Sequence, residues 1–213
     1  MTEAEWLACT DPERMLEALR GKVSDRKLRL LAVASCRRVW PQLTGPIWRE
    51  AVERSEHLAE GQAGSEELAI LPARLWEEWR LPADAAARLA VSVELDAGAA
   101  WEVARVASWA NPHLSRADEQ LAQCQLVRDV FGDPDRPATV SPACLTPQVV
   151  ALAQAAYDER ELPSGQLDPA RLAVLADALE DAGCTDADVL NHCRRPGVHV
   201  RGCWAVDLVL GKT

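Results

Sequence analysis

Between Cys184 and Thr213 the chain gathers Cys184, His192, Cys193, His199 and Cys203, three of its seven cysteines and two of its four histidines. Thiolate and imidazole are the ligands of structural zinc. The set Cys184-x7-His192-x6-His199-x3-Cys203 offers the four such ligands that a closed tetrahedral site requires. The spacing departs from zinc knuckles, because no C-x2-C pair is present and the usual order of cysteines and histidines is missing. His192 and Cys193 are adjacent, so on a helix their side chains diverge by about 100° and do not share an ion. The bland alternative is a set of buried structural cysteines with partly exposed histidines, forming a packed helical terminus that closes the fold.

The same stretch raises thiol chemistry. If the final segment is helical throughout, His199 and Cys203 fall at i,i+4 and Asp207 continues the same face. A thiolate–imidazolium pair oriented by a carboxylate would then be possible. Active-site partners usually come from separate elements, so the spacing alone is weak support. Other chemistries find no motif. There is no G-x-S-x-G, no G-x-G-x-x-G, no phosphate-cradling loop ahead of Gly21-Lys22 and no calcium loop among the carboxylates around Cys184.

Elements able to position these residues are marked by helix punctuation. Thr2-x-x-Glu5 is a capping-box pattern, and Asp11-Pro12, Thr146-Pro147 and Asp168-Pro169 each set an N-cap before a first-turn proline. Apolar residues recur at helical spacing after each start, as with Leu28, Leu31 and Val39, or Leu172, Leu175 and Leu179. Residues 83–109 read as one long Ala-rich helical stretch, and 200–210 fit either a strand or a helix, with helix favoured. The expected fold is all-α, a multi-helix bundle or orthogonal array of eight to ten helices. Pro134, Pro137 and Pro142 mark 133–142 as a loop between an N-terminal region, 1–132, and a C-terminal region, 143–213, packed together as one domain.

Composition narrows the function. The 213 residues carry a net charge of -10, which argues against nucleic-acid binding, since that affinity comes from Lys and Arg neutralising phosphates. No stretch reaches the roughly 18 apolar residues of a spanning helix. The acidic opening is unlike a secretory leader, and seven scattered cysteines suit reduced thiols, so the expected location is the cytoplasm. Eight Trp stand against one Phe and one Tyr. Most of that surplus suits core packing, while Trp76 and Trp79, at i,i+3, are candidates for an interaction face.

Several blocks resemble a large set of duplicated bacterial proteins of unknown function. They are Met1-Thr2-Glu3-Ala4-Glu5-Trp6-Leu7-Ala8-Cys9-Thr10-Asp11-Pro12, Arg128-Asp129-Val130-Phe131-Gly132, Leu175 through Asp188, and His199-Val200-Arg201-Gly202-Cys203-Trp204 with Asp207 and Leu210-Gly211-Lys212. The resemblance implies no activity, cofactor or catalytic residue. The residues together lead to a non-enzymatic helical module that binds another protein, of basic or amphipathic character, or self-associates. The alternative is a metal-stabilised or thiol-dependent domain using the Cys184–Cys203 region.

Overall fold

Side-chain caps set where the helices begin. In a computed structural model, which describes residues 1–64, 81–92, 96–111 and 114–213, eleven α-helices occur and no strand is found among the described residues. The Thr2–Glu5 capping box is closed in both directions and opens α1 (Glu3–Ala8). Asp11 accepts from the Glu13 amide at 3.0 Å to start α2 (Pro12–Leu19), and Ser24 accepts from Lys27 to start α3 (Asp25–Arg38). A proline in the first turn opens α4 (Pro46–Ala59) and α5 (Pro82–Ala90), where a missing N–H costs nothing.

The Ala-rich stretch divides into two helices, α5 and α6 (Ala97–Ala110), a correction to the single segment expected. Asp96 is the reason at the second start: its carboxylate accepts from the Ala99 amide at 2.7 Å, a cap that places residue 96 outside the helix. α7 (Arg116–Phe131) follows, with the Ser115 hydroxyl taking the Asp118 amide.

The chain forms two compact units, Met1–Val127 and Arg128–Thr213, and the division falls within α7. In the first unit α3 is the central helix, packing on α4, α5 and α6. Its buried set includes Leu30, Leu31, Val33 and Cys36, joined by Trp6 and Trp48. Ala83, Ala86, Ala87 and Ala90 of α5 and Ala100, Ala104 and Ala107 of α6 are buried, so small side chains bring these two helices together. Arg37 and Glu56 pair at 2.7 Å with both side chains 3% exposed, tying α3 to α4. Arg38 grips both carboxylate oxygens of Glu119 at 2.8 Å, the paired-donor geometry a guanidinium is shaped for.

The second unit contains the end of α7, α8 (Pro147–Asp158), α9 (Pro169–Asp181), α10 (Ala187–Arg194) and α11 (Trp204–Leu210). Val149, Ala153, Tyr157, Leu172, Leu175, Leu179, Val189 and Val206 share one core. The ambiguous 200–210 segment resolves as α11, preceded by an isolated bridge between Gln166 and Val200. α9 ends in a left-handed residue, Gly183 (φ 90°), after which the Cys184 amide reaches back to the Leu179 carbonyl at 2.9 Å. In this helix ending the residue after the glycine folds back onto the last turn, and Cys184 is accordingly buried in the same apolar core as Leu179. Among the described residues, no helix is long and apolar enough to cross a membrane.

Candidate functional site

Asp129 occupies the last turn of α7, where Leu126, Val127 and Val130 are also buried, and is itself fully buried. A bare carboxylate there would be very costly, so it must collect donors. It collects three. Oδ1 lies 2.7 Å from His199 Nδ1 and 3.1 Å from His192 Nε2, and Oδ2 accepts the Val200 amide at 2.8 Å. Cys203 Sγ is 3.1 Å from the same His192 Nε2. One ligand-type atom from each of Asp129, His192, His199 and Cys203 lies within 4.8 Å of the others, and all four residues are buried.

Each residue reaches this point from a different piece of chain. α10, opened by Asp186 capping Asp188 and Val189, carries His192 inward in its last turn. His199 sits in the connection after α10, where its carbonyl accepts the Leu167 amide at 2.8 Å. Cys203 stands immediately before α11, its amide bonded to the Val200 carbonyl at 2.9 Å. Phe131 ends α7, and Gly132 follows at φ 67°. A side chain at position 132 would meet the Trp204 indole at 3.1–3.3 Å, so glycine is required by the close approach as well as by the backbone.

Trp204 also fixes the state of His192. Its indole Nε1–H, which can only donate, points at His192 Nδ1 at 3.0 Å. Nδ1 therefore accepts, the ring proton resides on Nε2, and that N–H is directed at Asp129. Burial holds the His192 pKa below its ordinary value, outweighing the pull of Asp129. For Asp129 the balance is reversed. Burial alone would raise its pKa, but the hydrogen bonds from His192 and His199 overcome it and keep the group well below the usual carboxylate range. Burial, then the charge of Asp129, pushes the Cys203 thiol well above its ordinary value.

Three of the four candidate ligands, His192, His199 and Cys203, are thus brought together, and Cys184 is not in the group. The helix ending after Gly183 turns it into the apolar core, where Cys193 also lies with its thiol pushed up to about 12 by burial. Asp129 takes the fourth place. The histidines expected to be partly exposed are 5% and 1% exposed, because the carboxylate draws both rings inward. The proposed His199–Cys203–Asp207 helix face does not form, since α11 begins only at Trp204. Asp207 instead accepts the Tyr157 hydroxyl at 2.7 Å. Trp76 and Trp79 lie outside the described residues.

Asp129 was recognisable in principle from the sequence as an acid on the buried face of its own helix, one turn from Leu126 and flanked by Val130. No protein-family model, no curated protein and no solved structure matches the chain.

Proposed function

We propose that this chain is a non-enzymatic helical module that acts by binding another protein or a second copy of itself. The carrying observation is the closed state of the one Cys–His–Asp cluster found among the described residues. Cys203 is fully buried with its thiol held protonated, and the nitrogen facing it already bears a proton. A nucleophilic thiol needs the reverse: a free base beside it and a lowered pKa. The cluster therefore reads as an internal brace.

Binding is supported on the outside of the first unit. Trp109, at 54% exposure, stacks under the Arg105 guanidinium 4.1 Å from its ring, and Leu114 and Leu121 are also exposed. Large apolar side chains open to water favour a partner with an apolar face, and a net charge of -10 favours one that is basic.

The test uses two probes, sedimentation of the protein over a wide concentration range and titration with a basic amphipathic helical peptide. Association in either, weakened by Trp109→Ala, is the expected result. A monomer at all concentrations that ignores the peptide overturns the proposal, as does Cys203 alkylating faster than Cys9 in the native protein.

A further inference from the structure

Independently of any protein partner, we infer that Asp129, His192, His199 and Cys203 form a site for one divalent transition ion of zinc type, bound through Oδ1, Nε2, Nδ1 and Sγ. Four ligands of mixed oxygen, nitrogen and sulfur character match the number and softness that zinc and cobalt accept in closed sites. Tetrahedral bonds of about 2.0–2.3 Å place neighbouring ligand atoms about 3.3–3.6 Å apart. Three of the six separations, 2.7, 3.1 and 3.1 Å, are shorter than that and all six lie within 4.8 Å, so the side chains close on an ion by shifts of up to about an ångström.

The surroundings of three ligands already suit coordination. His199 has its second nitrogen 3.4 Å from the Arg195 carbonyl, the kind of outer acceptor that orients a metal-bound imidazole. Asp129 has its second oxygen held by the Val200 amide, leaving Oδ1 aimed inward. Cys203 is fixed at the start of α11 with its sulfur in the cluster. Charge balances as well. The ion brings two positive charges; the Asp129 carboxylate and the Cys203 thiolate carry two negative ones, and both imidazoles stay neutral. On binding, the Cys203 proton leaves to solvent. The ring protons of His192 and His199 pass from the ligating nitrogen to the other one.

For His199 that relocated proton meets the Arg195 carbonyl. For His192 it meets the Trp204 N–H, a donor facing a donor. Trp204 is thus a brake on the site: the ion must displace the indole hydrogen bond to take His192 as its fourth ligand. Phenylalanine at 204 keeps an aromatic ring against Gly132 and removes the opposing N–H.

The experiment adds cobalt(II) to chelator-stripped, folded protein and records absorbance. One equivalent is expected to give tetrahedral ligand-field bands with a thiolate-to-cobalt charge-transfer band. Cys203→Ser should abolish the charge-transfer band, and Cys184→Ser, outside the cluster, should leave it intact. Asp129→Asn should weaken binding about tenfold or more. Trp204→Phe should tighten it about tenfold, the loss of one opposing hydrogen bond. Absence of the bands in the folded wild-type protein overturns the site. So does a charge-transfer band that survives Cys203→Ser or disappears with Cys184→Ser. Unchanged or weaker binding by Trp204→Phe overturns the brake. Circular dichroism of each stripped variant separates lost ligation from lost folding.

Discussion

The Trp204 indole N–H donates to Nδ1 of His192, and this single bond decides which ring nitrogen keeps the proton. Everything that the cluster can do follows from it. With the proton on Nε2, His192 donates to Asp129 and cannot take the proton of Cys203, although that sulfur is only 3.1 Å away.

Asp129 is the member that the second unit should miss most. Asn in its place keeps the shape but loses the charge, and its single oxygen cannot serve both the histidine pair and the Val200 amide, so its NH2 is left facing a donor. We expect Asp129→Asn to lower unfolding stability by about 3 kcal/mol or more, the usual cost of breaking a buried charged network. Urea denaturation of stripped protein checks this, and a loss under about 1 kcal/mol would sink the brace interpretation.

Gly132 should not accept a side chain. Its positive φ alone costs an alanine about 1–2 kcal/mol, and the Trp204 ring adds a clash. Gly183→Ala is the matched control, since its φ is also positive but nothing lies within 4 Å of the added carbon. Gly132→Ala should melt lower than Gly183→Ala; equal melting would show that the ring contact does not matter.

Tyr157 is the hub of a second buried network, where its hydroxyl donates to Asp207 at 2.7 Å and accepts from the Gly202 amide at 3.2 Å. Tyr157→Phe leaves a buried carboxylate short of a donor and is expected to cost about 1–3 kcal/mol. Double mutation with Asp207→Asn should cost less than the sum of the two single changes, as measured by thermal unfolding. Strict additivity would mean that the two groups do not act together.

Native thiol labelling should follow exposure and ionisation. Cys9 is the one thiol of the seven that is not buried, whereas Cys36 and Cys193 are buried with pKa values pushed up to about 12 by burial. At pH 8 one thiol should react promptly and six only after denaturant is added. Rapid loss of a second thiol, located by peptide mass mapping, would contradict this.

Glu5 gives a pH dependence of definite sign. Hydrogen bonds from the Thr2 backbone and hydroxyl lower its pKa. A depressed carboxylate stabilises above its unfolded value of about 4.3, and that contribution disappears as pH falls through the folded value. The stability gap between wild type and Glu5→Gln should therefore be present at neutral pH and close in acid. A gap that persists at low pH would exclude the capping box as its source.

Much of the architecture was legible in local chemistry. Thr2, Asp11, Ser24, Thr146 and Asp168 all act as the caps their neighbours imply, because capping depends on residues within one turn. The break in the Ala-rich stretch is hard to see in the sequence, because alanine has high helix propensity on both sides of Asp96 and a single Asp is the one cap signal there. The candidate site was half legible. His192, His199 and Cys203 are near one another in sequence, whereas Asp129 lies 63 positions before His192 and is joined to it only by tertiary packing. Cys184 has the residue type of a ligand, but the left-handed Gly183 before it sets where it points.

The separation between Asp129 and its partners has a kinetic consequence. The carboxylate meets His199 across 70 positions of chain and the Val200 amide across 71. Closing a loop of that length costs about 4 kcal/mol of chain entropy before any contact repays it. α8, α9 and α10 can form from nearby residues, but the carboxylate stays in water until the stretch from His192 to Cys203 has been made and folded back. The hydrogen bonds that compensate for burying Asp129 therefore form only once that loop has closed. During synthesis that aspartate waits, solvated, for residues the ribosome has yet to add.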